Sequence, residues 1–139
     1  MGCDIHLVLE RKNGAKWVAV NTFNSHESAY GRGWSCPLAR DRNYERFAAL
    51  AGVRGTGPEP RGLPADISET ARLLADDWGG AGHSHSWLPI KDATKVFLDT
   101  EHRAPEPDSI AAKYPSSHYF GVDDEESAGD YRLVFWFDN

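Results

Sequence analysis

Residues 3 to 10 alternate strictly, with Cys3, Ile5, Leu7 and Leu9 on one face and Asp4, His6, Val8 and Glu10 on the other. That is the period of a β-strand separating two environments. Asn13-Gly14 then gives a two-residue hairpin signal, and Lys16 to Val20 supplies the returning antiparallel strand. The closing strand, Tyr131 to Phe137, is apolar on both faces, with Leu133, Phe135 and Phe137 opposed to Val134 and Trp136. Such a strand is expected at the centre of a sheet covered on both sides. Asp138 follows on the Val134 and Trp136 face. Chain ends are usually frayed, so two ends that both read as core strands predict their pairing in one sheet, which brings Asp4, His6 and Asp138 together.

Between these strands the period changes to that of helices. From Asp41, a stripe of Tyr44, Phe47, Ala48 and Ala51 predicts a first helix that stops near Gly52 to Gly55. A second is expected from Asp66, where Asp66 and Glu69 resemble a capping box, with Ile67, Ala71, Leu74 and Trp78 inside and Gly79-Gly80 at its end. Pro89 suits the first turn of a third helix with Ile90, Ala93 and Phe97 inward and its end near Thr100. Residues 117 to 122 read as a further strand, Asp123 to Gly129 as an acidic turn, and 24 to 40 as a long loop. Glycine and proline concentrate in 52 to 64, 79 to 82 and 104 to 115, which read as connections. The order of elements predicts one α+β domain over 1–139, with a mostly antiparallel sheet pairing the N- and C-terminal strands and about three helices.

Composition narrows the partners. With a formal charge of −6, the chain opposes the counterion release that drives general nucleic-acid binding. Nothing approaches the run of roughly 18 apolar residues that a membrane span needs, and no signal peptide precedes the first strand, so a cytoplasmic protein without a membrane partner is expected. Cys3 and Cys36 have no metal-ligand spacing and are expected to stay reduced. A Met-Gly-Cys start resembles a myristoylation signal, but His6 stands where that signal takes Ser or Thr.

Three segments carry candidate chemistry. Asp4 and His6, two apart on a strand, project from one face with Cβ atoms roughly 6 to 7 Å apart, a spacing suited to two metal ligands or to a base and its orienting carboxylate. His83-Ser84-His85-Ser86, read as a loop before the third helix, offers two imidazoles as Zn or Mn ligands or as acid and base. Its serines are read as helix caps or phosphate ligands. Asp138 completes a His/Asp set or orients a histidine. The candidate metal ligands are therefore Asp4, His6, His83 and His85, and the catalytic set is His83, His85 and Asp138. Arg40, Arg42 and Arg61 are candidate clamps for an anion, joined by Ser84 and Ser86, with Trp87 to stack a base. The alternative for each is a solvated surface residue, an ordinary helix cap, or a charged chain end.

As a set, Met1-Gly2-Cys3-Asp4-Ile5-His6, Asp41-Arg42-Asn43-Tyr44-Glu45-Arg46-Phe47-Ala48, Pro60-Arg61-Gly62-Leu63-Pro64, His83-Ser84-His85-Ser86-Trp87-Leu88 and Phe135-Trp136-Phe137-Asp138-Asn139 resemble a family of small tailed-bacteriophage proteins over nearly the whole chain. The resemblance implies an accessory protein working in the cytoplasm of an infected bacterium, and it brings no catalytic residues with it. Two readings follow. One is a small hydrolase or phosphoesterase, metal-dependent or using a histidine base without metal, acting on a nucleotide-like anion. The other is a binding protein that sequesters a nucleotide-derived host defence signal or inhibits a host protein, with self-association open.

Overall fold

The alternating first segment forms β1 (Asp4–Asn13), which returns as β2 (Lys16–Phe23). Asn13 pairs with Lys16, so the turn residues are Gly14 and Ala15, one position beyond the Asn13-Gly14 reading. Gly14 has φ of 65°, a left-handed conformation that costs glycine little. These features belong to a computed structural model that describes residues 2–23, 42–101, 106–124 and 129–139. The expected loop over 24 to 40, with Cys36 and Arg40, lies outside the described residues.

Four antiparallel strands form one sheet in the order β2-β1-β4-β3, where β3 is Gly82–Pro89 and β4 is Tyr131–Asp138. The terminal strands pair without a break from Asp4 opposite Asp138 to Arg11 opposite Tyr131. Their central place explains why β4 needs apolar side chains on both faces. On one face Ile5, Leu7, Leu133, Phe135 and Phe137 pack against Phe47 and Leu50 of α1 (Tyr44–Ala51), Ile90, Ala93 and Phe97 of α3 (Ile90–Asp99), and Tyr119 and Phe120 of α5 (Pro115–Phe120). On the other, Val8, Val134 and Trp136 pack against Ala71 and Ala75 of α2 (Glu69–Trp78), with Trp78 and Trp87 alongside. The α1-to-α2 connection passes β3, the edge strand, where Gly62 N–H donates to the His85 carbonyl at 2.9 Å. That bond occupies a group that an edge strand would otherwise leave unpaired.

Local signals set the helix ends. The Asn43 side chain accepts from Arg46 N–H and Gly52 closes α1 with φ of 69°, while the Ser68 hydroxyl accepts from Ala71 N–H at the start of α2. Thus α2 starts three residues after Asp66. The Asp66 carboxylate is taken by Arg132 and by the Trp17 indole, so it is unavailable as a cap. With the helix starting later, Ala75 turns inward and Leu74 is 38% exposed. Ile90, Ala93 and Phe97 are buried as expected, and α3 ends at Asp99 with Thr100 as its C-terminal cap.

Three further expectations change. The segment 82 to 88 is strand β3, not a loop. Residues 115 to 120 are helix α5, not a strand: Pro115 starts it, and the Asp124 carboxylate accepts from Ser116 and Ser117 N–H at 3.0 and 3.1 Å. A short helix α4 (Ile110–Lys113), capped by Ser109, precedes it where a connection was expected. Among the described residues no helix is long and apolar enough to cross a membrane.

Candidate acid–base site at the paired strand ends

Antiparallel register places Asp4 beside Asp138 and His6 beside Trp136, all on the α2 face of the sheet. Two adjacent carboxylates repel unless each is matched by a cation or donor. Asp138 is matched by His6, with Nε2 2.5 Å from Oδ2. Asp4 is matched by Arg42, whose Nε donates to Oδ1 at 2.9 Å and Nη2 to Oδ2 at 3.4 Å. The guanidinium lies where a side chain on Gly2 would stand, its Nη1 2.0 Å from that Cβ position. The Asp4 bonds hold Arg42 more firmly protonated than a free guanidinium.

The His6–Asp138 pair is enclosed, His6 being 4% and Asp138 9% exposed. The imidazole stacks on Trp136 at 5.8 Å and lies under Trp78, 4.3 Å away, which α2 brings down at its last residue. A carboxylate on Nε2 favours that nitrogen as an N–H donor and fixes the orientation of the ring. The arrangement therefore has a carboxylate that orients the ring, a fixed imidazole and aromatic walls that limit its contact with bulk solvent.

His83 and His85 reach this end of the sheet on β3. Opposite Phe137 and Phe135 of β4, β3 advances from His83 to Ser86, one residue too many. This bulge is accommodated at Ser84, with φ of 56°. In a regular strand residues two apart share a face, but here the bulge parts the imidazoles. His83 stacks on Phe137 and contacts Asn139 Oδ1 through Nε2 at 3.2 Å, whereas His85 stacks on Trp136 at 6.3 Å. Burial, and next the neighbouring His83, lower the pKa of His85, which is neutral at pH 7. Across β4, the imidazoles of His6 and His85 thus flank Trp136.

This geometry separates the expected ligands. Among the described residues no group of three or more His, Cys, Asp or Glu side chains is placed to hold a metal ion. The bulge parts His83 from His85, Arg42 engages Asp4 and Asp138 engages His6, so these four side chains do not converge as a Zn or Mn centre. The serines are elsewhere engaged too: Ser84 Oγ meets His83 Nδ1 at 3.0 Å, and Ser86 Oγ accepts from Arg61 N–H at 3.0 Å. Neither caps α3, whose start has no side-chain cap. Arg61 lies 5.0 Å over Trp87, further along β3. Cys3 is buried on the opposite face, where desolvation raises its thiol pKa and keeps it from acting as a nucleophile at neutral pH.

Two features went unread in the sequence. Trp78, assigned to the core, is the lid over His6. Glu10, on the Asp4 and His6 face, is fully buried and accepts from Arg132 Nε at 2.5 Å and from Ser68 N–H at 2.7 Å. Arg132 also donates to Asp66 at 2.8 Å and stacks 4.1 Å over Trp17. The two-residue period that carries Asp4 and His6 also marks Glu10. A shallow hollow of about 560 Å³ lies near this network, lined by Lys16, Trp17, Asp66 and Ser68, at the hairpin end of the sheet and away from the histidines. The His6–Asp138 pair, the Asp4–Arg42 pair and His85 beyond Trp136 all lie at this one end of the sheet, so we place the candidate site there. No family model matches the chain, and no solved structure matches it.

Proposed function

We propose that the paired strand ends are the acid–base site of a small hydrolase acting on a nucleotide-like anionic molecule, and that the chain serves as a phage accessory protein in the infected host. The observation that carries this reading is the enclosed His6–Asp138 pair, 2.5 Å apart between Trp78 and Trp136. A buried polar pair costs desolvation that an apolar pair of the same volume avoids, so its presence calls for a role beyond packing. In this reading Asp138 orients His6, the base that takes a proton from water, and His85 stands by as a second proton carrier. Arg42, whose side chain is 51% exposed, turns its remaining N–H groups to the anionic group.

The test is turnover by chelator-treated protein on a panel of phosphomonoesters, phosphodiesters and nucleotides. Hydrolysis that persists in chelator and is lost in a folded His6→Gln variant supports the reading. Absence of turnover on the whole panel contradicts it.

A second reading, a binding protein that sequesters its ligand or a host protein, draws on Arg61 stacked over Trp87 at the covered edge of β3, a pairing that also suits a nucleobase. Its signature is a ligand released unchanged on denaturation.

A further inference from the structure

Among the described residues other than glycine, Ser84 is the one within a strand that has positive φ, at 56°. That backbone is strained for any residue with a Cβ and free for glycine, yet serine stands there. Residues held in such conformations cluster at sites of chemistry. The bulge that imposes it also takes Ser84 out of the two-residue alternation, which is a way for a strand to re-aim one side chain.

What the bulge aims is a hydroxyl. Ser84 Oγ lies 3.0 Å from His83 Nδ1, and His83 Nε2 lies 3.2 Å from Asn139 Oδ1. A carbonyl oxygen accepts and does not donate, so Nε2 is favoured as the ring N–H and Nδ1 presents its lone pair to the serine. The serine O–H then donates to a base whose far side is held by an amide. A hydroxyl, an imidazole and an orienting group joined in that succession are the arrangement by which a weak nucleophile is activated.

Exposure and charge narrow the electrophile. His83 and Ser84 are half-buried and Asn139 is exposed, so the group stands at the surface. His83 is the register partner of Phe137 and stacks on it at 6.2 Å, which puts the imidazole on the α1 face, across the sheet from His6. The three groups are uncharged in this hydrogen-bonding state. Asp138 stands opposite Gly82 on the adjoining strand, and the chain carries a formal charge of −6, so an anionic ester is repelled where a neutral one is not.

We infer that Ser84 is a nucleophile toward neutral carboxylic esters, with His83 as its base and Asn139 as the residue that positions the base. Ser84 Oγ adds to the carbonyl carbon while its proton passes to His83 Nδ1. The adduct expels the alcohol oxygen, which takes that proton, and acyl-Ser84 remains. Water then attacks the acyl carbon and gives a proton to Nδ1; the carboxylic acid leaves as Ser84 recovers the proton. This inference goes beyond the His6–Asp138 reading and does not depend on it.

The full chain mixed with p-nitrophenyl acetate tests it. p-Nitrophenolate leaves far more readily than a serine alkoxide, so the acyl form should accumulate: an initial burst of about one p-nitrophenolate per chain, with an acetyl group found on Ser84 by peptide mass spectrometry after acid quenching. Ser84→Gly should fold with unchanged or higher Tm, because glycine adopts φ of 56° without strain, and lose the burst. Folded His83→Gln should acylate Ser84 about 10²-fold more slowly. Asn139→Ala should slow it too, and Asn139→Asp, which keeps an acceptor on Nε2, should restore the rate. The exposed His118→Gln is the control and should keep the wild-type burst. No acetyl group on Ser84 in the wild type, a burst that survives Ser84→Gly, or an undiminished rate in His83→Gln or Asn139→Ala overturns the inference. Acylation of Ser84 in a protein that turns over no phosphoester or nucleotide would count against the His6–Asp138 reading and support this one.

Discussion

His6 and Asp138 lie 132 positions apart in the chain and meet at 2.5 Å across the central pair of strands. Nothing local holds them together; the unbroken β1–β4 register does, and it also sets Asp4 beside Asp138 and Trp136 beside His6. The fold thus couples the integrity of both chain ends to the geometry of the candidate site.

Arg42 holds Asp4 from a half-exposed position, where ion pairs contribute little to folding because water screens them. Arg42→Ala should lower the unfolding midpoint modestly, because it takes the guanidinium from the buried Asp4 carboxylate beside Asp138, while raising KM for an anionic substrate about tenfold, the worth of one charge-assisted hydrogen bond. Parallel thermal melts and steady-state kinetics check this. A large loss of stability with unchanged KM would mean that Arg42 only braces the strand end.

The lowered pKa of His85 makes stability depend on pH with a definite sign. The unfolded imidazole binds a proton near its ordinary value of 6.5, the folded one only at lower pH. Between those values the unfolded state holds more protons, so stability is full above 6.5 and declines as pH falls below it toward the folded-state value. Urea unfolding from about pH 7 to 5 should show a steeper decline for the wild type than for His85→Gln. Equal slopes would show that His85 titrates in the folded state as it does unfolded.

Glu10 and Arg132 form a buried pair on the same face, fully removed from water on the Glu10 side. Removing one partner leaves an uncompensated charge, so Glu10→Ala should cost about 3–5 kcal/mol, measured by denaturant unfolding. The double replacement Glu10→Leu with Arg132→Met should recover most of that loss, since apolar residues of similar volume often substitute for a buried pair. Failure of the double variant to recover would assign the cost to the Ser68 and Asp66 contacts.

How much of this was legible in the sequence depends on where a period is unbroken. β1 alternates cleanly, and β4 carries large apolar residues on both faces, so their pairing and the approach of Asp4, His6 and Asp138 could be read directly. In β3 the bulge at Ser84 interrupts the two-residue period, and glycine, serine and histidine hide a strand whose covered edge is set by a tertiary contact from Gly62. Around α5, Tyr119, Phe120 and Val122 have the composition of a strand, but Pro115 and the Asp124 carboxylate favour a helix start. The cap of α2 was displaced from Asp66 to Ser68 because Arg132, far along the chain, claims the aspartate. In β3 and α2 a nonlocal contact overrides a local preference, whereas α5 is set by its own proline and by a carboxylate eight residues on.

The most direct measurement compares Asp138→Asn with a control at an exposed histidine, His118→Gln, in both unfolding free energy and turnover of the fully folded protein. If the His6–Asp138 pair is the acid–base centre, kcat of folded Asp138→Asn falls by about 10²- to 10⁴-fold while the control keeps its rate. If the pair is only a latch between the terminal strands, Asp138→Asn loses stability yet its folded fraction turns over like the wild type, and the account is contradicted.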